Sequence, residues 1–269
     1  EWFDLPGKYP LHQCNECGLI YINPQPSPSS ITVYYPDNYA PFQPAVETIP
    51  SRLKQWELRY SLHKRVRAIQ KRINHKGHVL DVGCATGNFL AALRQDGWET
   101  SGIELNKNAA KYARTEQKLE VFNGTLEQAN FPANSFDLII FWDVLEHIYQ
   151  PRQSLEISYR LIKPGGSLLV TLPNPDSFEA KLFGRYWAGW DIPRHLQIFP
   201  LPVIKQLLED TGWEMNEMIC MSGRHWLFNL SLEHFLKQRV KNRFLRRLIL
   251  GTSRSLPVRI LTLPYFVFV

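Results

Sequence analysis

Val79-Leu80-Asp81-Val82-Gly83-Cys84-Ala85-Thr86-Gly87 is the stretch from which the architecture can be worked out. Val79, Leu80 and Val82 are apolar, and two of them are β-branched, which predicts a short buried strand. The small residues Gly83, Ala85 and Gly87 then turn the chain. Asn88-Phe89-Leu90-Ala91-Ala92-Leu93 predicts a helix folding back over the strand. Glycines at such a turn admit a ligand close to the backbone, and a helix start offers unpaired N–H groups. Beyond Asp96-Gly97, a second strand is expected over Glu99-Thr100-Ser101-Gly102-Ile103, ending at Glu104. Glu104 thus follows Asp81 by one strand–helix–strand passage. An acid at the tip of a second strand is placed to accept both hydroxyls of a ribose.

Two cofactor classes use this layout. A dinucleotide site wants G-x-G-x-x-G, whose glycines make room for a pyrophosphate. Here Gly83-Cys84-Ala85-Thr86-Gly87 stands in its place, with Asp81 just ahead of it. The stretch resembles motif I of the class I S-adenosylmethionine-dependent methyltransferases, where D-x-G-x-G-x-G is usual. Ala85 occupies a position where Gly is commoner. The resemblance implies that the turn (Asp81, Gly83, Ala85, Thr86, Gly87, Asn88, Phe89) holds the methionine part of S-adenosylmethionine. It also implies that Glu104, with Leu105 beside it, holds the ribose.

The order of the following segments extends the resemblance. Residues 109–117 predict a helix and Glu120-Val121-Phe122 a third strand. In the family, the turn after that strand lies against adenine, which implicates Thr125 and Leu126. Ser135-Phe136-Asp137-Leu138-Ile139-Ile140-Phe141-Trp142 predicts a fourth strand, with Trp142 also at the cofactor site. Residues 153–162 predict a helix stopped by Lys163-Pro164-Gly165-Gly166, and Ser167-Leu168-Leu169-Val170-Thr171-Leu172 a fifth strand. FDLII, VLEHI, RLIKPGG and LLVTLPN, in this order, resemble the ubiquinone-biosynthesis O-methyltransferase branch over about residues 52–215. Methyltransferases acting on amines of nucleic acid or protein typically carry Asn/Asp-Pro-Pro-aromatic after the fourth strand. Trp142-Asp143-Val144-Leu145 stands there instead, which argues against a nucleic-acid partner.

Several residues are candidates for chemistry at the acceptor. Asp143, Glu146 and His147 fall at i, i+3 and i+4 and would share a face if a helical turn starts at Asp143. A hard divalent metal, an ordering role for loops and direct proton transfer are all open readings of that cluster. The relatives it resembles have a similar acidic-His cluster that binds a divalent ion. Residues 174–200 form an aromatic insertion (Phe178, Phe183, Tyr186, Trp187, Trp190) followed by Asp191-Ile192-Pro193-Arg194-His195, suited to a substrate lid. His195 is the best-placed general base for a hydroxyl acceptor, because imidazole titrates near neutral pH. A loop-ordering histidine is the plainer alternative.

Composition bounds the rest. A chain of 269 residues, 44% hydrophobic, can bury one large core with an appended lobe. Four cysteines make no disulfide framework, so a reducing compartment is expected. Cys14-Asn15-Glu16-Cys17-Gly18 resembles half of a zinc-knuckle, and Cys17-Gly18-Leu19-Ile20-Tyr21-Ile22-Asn23-Pro24 resembles the end of the zinc-ribbon-like element that some such methyltransferases carry. Two ordinary thiols remain the alternative. Leu58, Leu62, Val66, Ile69 and Ile73 predict an amphipathic helix over 52–74, started by Ser51. Arg52, Lys54, Arg59, Lys64, Arg65, Arg67, Lys71 and Arg72 would form its solvated or anion-facing side.

The net charge of +6 is local. Residues 237–254 hold seven basic residues and no acid, and removing them leaves 24 basic against 25 acidic. Phe235, Leu236, Val240, Phe244, Leu245, Leu248 and Ile249 interleave with that charge. A basic amphipathic helix of this kind suits an anionic membrane surface, while a core cap or a dimer face is the alternative. Residues 258–269 are apolar but too short to span a bilayer. The chain starts without Met and stops in apolar sequence, which suggests a piece of a longer polypeptide.

The expected fold is a Rossmann-like α/β methyltransferase sandwich: a mainly parallel seven-stranded sheet with helices on both faces. Residues 202–211 would be a helix, 213–221 the sixth strand and Trp226-Leu227-Phe228 the seventh, closing an antiparallel hairpin. Residues 1–50 would be zinc-ribbon remnant and connector, 51–230 the cofactor domain, and 231–269 a basic tail. The expected activity is methyl transfer from S-adenosylmethionine to an oxygen, less readily a carbon, of a small, lipid-linked or glycan-linked acceptor. A cytoplasmic chain touching the inner face of a membrane is the expected placement. A methyltransferase-like scaffold without turnover and a Rossmann oxidoreductase are the rivals.

Overall fold

The computed structural model describes residues 8–36, 39, 42, 52–220, 225–253 and 255. Two compact units divide the chain: Ser27–Leu172, and Glu1–Pro26 together with Pro173–Val269.

The Ser27–Leu172 unit is built on five parallel strands: β3 (His78–Val82), β4 (Glu99–Glu104), β5 (Glu120–Asn123), β6 (Phe136–Trp142) and β7 (Ile162–Thr171). Their order is β5-β4-β3-β6-β7. The chain therefore starts at the centre, winds one way, then crosses back and winds the other. Such a reversal opens a crevice at the carboxyl ends of the strands beside β3. Val79, Leu80, Leu138, Ile139, Ile140 and Phe141 are inaccessible to solvent on successive, oppositely facing positions, so both faces of the sheet are covered.

Helix α1 (Arg52–Gln70) docks through the predicted stripe. Leu62, Val66 and Ile69 are buried against Val79, Phe89, Leu93, Trp98, Leu138 and Ile140, with Leu58 and Ile73 at the margin. Each such side chain contributes about 1.5–3 kcal/mol on burial, enough to fix the helix. The expected Ser51 cap lies outside the described residues. Helix α2 (Asn88–Gln95) begins at Gly87, whose φ of 81° is left-handed. A Cβ there would come within 2.4 Å of Leu119 Cδ1, so glycine serves both the conformation and the packing. Helix α3 (Lys107–Thr115) starts two residues before the expected 109, because the Asn106 side chain accepts the N–H groups of Asn108 and Ala109.

After helix α4 (Pro151–Leu161), Lys163-Pro164-Gly165-Gly166 does not separate helix from strand as expected. These residues lie inside β7, where register passes from Phe136↔Ile162 to Leu138↔Ser167. The extra residues are absorbed as an irregularity, with Gly165 at φ 77°.

The other unit carries a three-stranded antiparallel sheet, β1 (Leu11–Gln13), β2 (Ile20–Ile22) and β8 (Gln197–Ile198), in the order β1-β2-β8. Its helices are α5 (Phe178–Phe183), α6 (Leu201–Asp210), α7 (His225–Arg239) and α8 (Arg243–Ser253). The seven-stranded expectation is corrected here. Residues 213–220 pair with no strand among the described residues, and Trp226-Leu227-Phe228 is helical, within α7. A short apolar run suits helix or strand equally, and packing decides. Phe228 and Leu232, one helical turn apart, meet Phe183 and Trp187, and the Phe228 and Phe183 rings stand edge to face at 5.2 Å. Of the aromatics of the insertion, Phe183 and Trp187 are thus buried within this unit, Tyr186 and Trp190 are half-buried, and Phe178 is exposed.

Candidate active site

The carboxyl ends of β3, β4 and β6 bring together the turn, the acid and the tryptophan singled out in the sequence. Glu104 is 7% exposed, and both of its oxygens are held by backbone donors. Oε2 accepts the N–H of Ala85 at 2.8 Å and Oε1 that of Asn106 at 2.6 Å. A carboxylate offers about four lone-pair directions, so these two bonds do not exhaust it, and a ribose hydroxyl can still be accepted. Burial pushes the Glu104 carboxyl up, opposed by the N–H groups of Asn106, Ala85 and Leu105. Ala85 has φ 50°, which explains why Gly is commoner in the motif. A Cβ is tolerated there at about 1–2 kcal/mol, and the N–H still reaches the acid.

The rest of the turn is fixed from several sides. Gly83 has φ 77°, and a Cβ there would lie 2.6 Å from Val144 Cγ2. Thr86 is buried, and its hydroxyl accepts from Asn88 Nδ2 at 3.2 Å. Asn88 Oδ1 in turn accepts from Gln117 Nε2 at 3.1 Å. Leu105 is exposed next to Glu104, and Asn123 Nδ2 donates to the carbonyls of Glu104 and Leu105. Past β5, the Thr125 N–H donates to Gln128 Oε1, and Leu126 is buried.

Asp81 has a different environment from Glu104. It is wholly buried, and its pKa is raised to about 7 by that burial, with Arg65 lowering it and Glu104 raising it. Arg65, expected on the solvated or anion-facing side of α1, is half-buried. Its guanidinium lies 4.5 Å from the ring centre of Trp142 and 5.5 Å from that of Phe89. The two rings meet edge to face at 5.2 Å. A signal was present: Arg65 is i+3 from Leu62 and i−4 from Ile69, which sets it on the flank of the buried stripe. Cys84 is buried beside Asp81 and Glu104, and burial first, then those two acids, push its thiol well up. It is therefore a packing residue and no ready nucleophile.

The proposed sharing of one helical face by Asp143, Glu146 and His147 is corrected. The turn of helix spans Leu145–His147 and begins two residues after Asp143, which has φ 54°. Asp143 is exposed and bonded to Thr171, whose hydroxyl donates to its Oδ1 at 2.8 Å, whereas Glu146 is fully buried. His147 Nδ1 is hydrogen-bonded to the Tyr35 hydroxyl at 3.0 Å, so the Tyr-rich connector reaches this edge.

In the other unit, His195 is nearly buried, with Nδ1 2.8 Å from the carbonyl of Gly189. A carbonyl only accepts, so Nδ1 carries the proton and Nε2 is the basic nitrogen. Asp191 Oδ2 lies 3.8 Å from Nε2 and also accepts from Arg194 Nε at 2.9 Å. Cys14 and Cys17 occupy the turn of the β1–β2 hairpin, closed by Cys14 N to Leu19 O at 2.8 Å. The Cys14 thiol is lowered by the backbone N–H groups of Cys17 and Glu16 and by the Cys17 thiol. Among the described residues, no group of three or more Cys, His, Asp or Glu side chains within ligating reach of one another includes Cys14 or Cys17.

A family model described as "Methyltransferase domain" matches residues 55–217. The chain is 31% identical over 125 residues to a ubiquinone biosynthesis O-methyltransferase of Coxiella burnetii, covering 44% of this chain and 53% of that protein. A protein of the same name from Pseudomonas fluorescens is 28% identical over 139 residues, covering 48% and 60%. The chain thus spans about half the length of the curated relatives it matches. Among solved structures, the cyclase SpnF superposes with a TM-score of 0.52 over 76% of each chain at 18% identity, a likeness of fold alone.

Proposed function

The chain belongs to the methyltransferase-domain family, and from that premise we propose that it transfers the methyl group of S-adenosylmethionine to an acceptor oxygen. The observation that carries the reading is the Glu104 carboxylate at the tip of β4, fixed in place by the backbone N–H groups of Ala85 and Asn106. S-adenosylmethionine supplies a methyl group already activated by its positive sulfur. Glu104 would accept the ribose hydroxyls, the turn from Gly83 to Gly87 would take the methionine part, and Leu126 would offer an apolar wall to the adenine. Arg65 and Asp81, opposite charges at the same edge, suit the carboxylate and ammonium of an amino acid.

With the methyl group already activated, the chain's work is alignment and exclusion of water. A base is needed only for the acceptor's proton. His195 suits this role, with Nδ1 occupied by the Gly189 carbonyl and Asp191 near Nε2 to stabilise the imidazolium. His147, held by Tyr35, is the second candidate. An oxygen acceptor follows the relatives' printed activity. The test is transfer of labelled methyl to a catechol, a hexose and an alkylamine, with His195→Asn and His147→Asn in parallel. The reading expects label on a hydroxyl compound and a loss of about 100-fold or more in one histidine variant. Label on the amine alone would contradict it.

Cys14 and Cys17 are proposed as half of a structural zinc site. Their hairpin turn and the N–H groups that favour the Cys14 thiolate fit that role. Cobalt titration should give a thiolate-to-metal absorption band that Cys14→Ser and Cys17→Ser both remove, and its absence would leave two ordinary thiols.

A further inference from the structure

Helix α8 is unusual for the side it leaves uncovered. Phe244 is 76% exposed, Leu248 56% and Leu245 43%. At about 100° per residue, these three fall on one side of the helix, Phe244 and Leu248 one turn apart. Arg246, Ile249, Leu250 and Ser253 are half-buried, and the Ser253 hydroxyl donates to Asn229 Oδ1 of α7 at 2.7 Å. The α7 contact therefore takes one flank and leaves the Phe244–Leu245–Leu248 face outward. Arg243 and Arg247, also one turn apart, border that face and are exposed. Lys237, Arg239 and Lys241 lie in the preceding segment, which has no acid between 237 and 254.

We propose that α8 docks the chain on an anionic lipid surface, lying in the plane of the interface. Two properties choose this partner. The net positive charge comes from residues 237–254, since the rest of the chain is near neutral at 24 basic against 25 acidic residues. Seven basic residues with no acid among them draw an anionic partner to this segment. Phe244, Leu245 and Leu248 separate the classes of anion: a polyanion answers the arginines and leaves the apolar face wet, whereas a lipid headgroup layer answers both. An exposed apolar face rimmed by charge is otherwise rare on a soluble surface. The helix lies on the bilayer and does not cross it. Among the described residues no helix is long and apolar enough to span a membrane. The proposal stands apart from methyl transfer, and its failure would leave the cofactor site untouched.

The test is co-sedimentation of the full chain with vesicles of phosphatidylcholine alone or mixed two to one with phosphatidylglycerol, at low and high salt. Binding to the anionic vesicles should be at least about tenfold stronger and should weaken in high salt. Phe244→Glu with Leu248→Glu should lower it about tenfold or more. Arg243→Glu with Arg247→Glu should do the same and flatten the salt dependence. The thermal midpoint and S-adenosylhomocysteine affinity of both variants should match the parent chain. Equal binding to the two vesicle types, or no binding by folded protein, would overturn the proposal. So would duplex DNA binding where vesicles do not, or a dimer broken by Phe244→Glu with Leu248→Glu without vesicle binding.

Discussion

Strands β3 and β2 both sit in the middle of their sheets, yet they find their partners by different routes. In β3, Asp81 faces Gly102 of β4, the very next strand in the chain, with one helix between them. In β2, Ile20 faces Ile198 of β8, with the whole five-stranded sheet lying between them in sequence. The first pairing is local, repeated and right-handed by the usual βαβ geometry. The second depends on two or three residues meeting after most of the chain has been laid down. A site formed by local crossovers can be read from spacing, and one formed by a distant pairing cannot.

The largest expected effect lies in the non-local unit. Trp187→Ala removes a buried ring packed on Phe183 and Trp190 and should cost about 3–5 kcal/mol. Hydrogen exchange should show the loss in amides of α5 and α7, and unchanged protection there would break the assignment of this cluster as a core. Next comes Gly87→Ala in the local unit. Its left-handed backbone and the 2.4 Å approach to Leu119 predict a loss of about 2–4 kcal/mol in denaturant unfolding. A neutral result would mean that α2 can shift away from α3.

A smaller effect is expected at Arg65. Arg65→Leu keeps much of the packing on Trp142 and Phe89 but removes the charge, and should weaken S-adenosylhomocysteine binding about tenfold. The same variant should raise the Asp81 pKa above about 7, because Arg65 is what holds it down. Asp81 also makes stability depend on pH. Unfolded Asp titrates near about 3.9, whereas Asp81 in the fold titrates near about 7. Between those values the folded chain keeps a proton that the unfolded chain releases. The contribution is therefore full below about pH 4 and is lost as pH rises through about 7. Asp81→Asn should gain thermal midpoint relative to the parent more at pH 8 than at pH 5, and a constant difference would contradict the shift.

The legible parts of the molecule follow the same division. Residues 79–104 could be read as strand, turn, helix, strand and acid because every step is within one or two turns of its neighbour. Helix α1 is legible from its stripe, but a count of charges groups Arg65 with the other cations of α1, because it ignores their angle to that stripe. Asp143, Glu146 and His147 satisfied the helical spacing, yet the left-handed Asp143 breaks the turn before it starts. Trp226-Leu227-Phe228 could not be told from a strand until Phe183 and Trp187 appeared beside Phe228. Nothing in the sequence announced that Ile198 would find Ile20.

The central claim is that the β4 acid holds an adenosyl cofactor, and calorimetry with S-adenosylhomocysteine tests it most directly. The account predicts micromolar binding by the parent chain and a loss of at least about 100-fold in Glu104→Ala, with folding checked by circular dichroism. Absence of binding by the folded parent chain, or equal binding by Glu104→Ala, would contradict it.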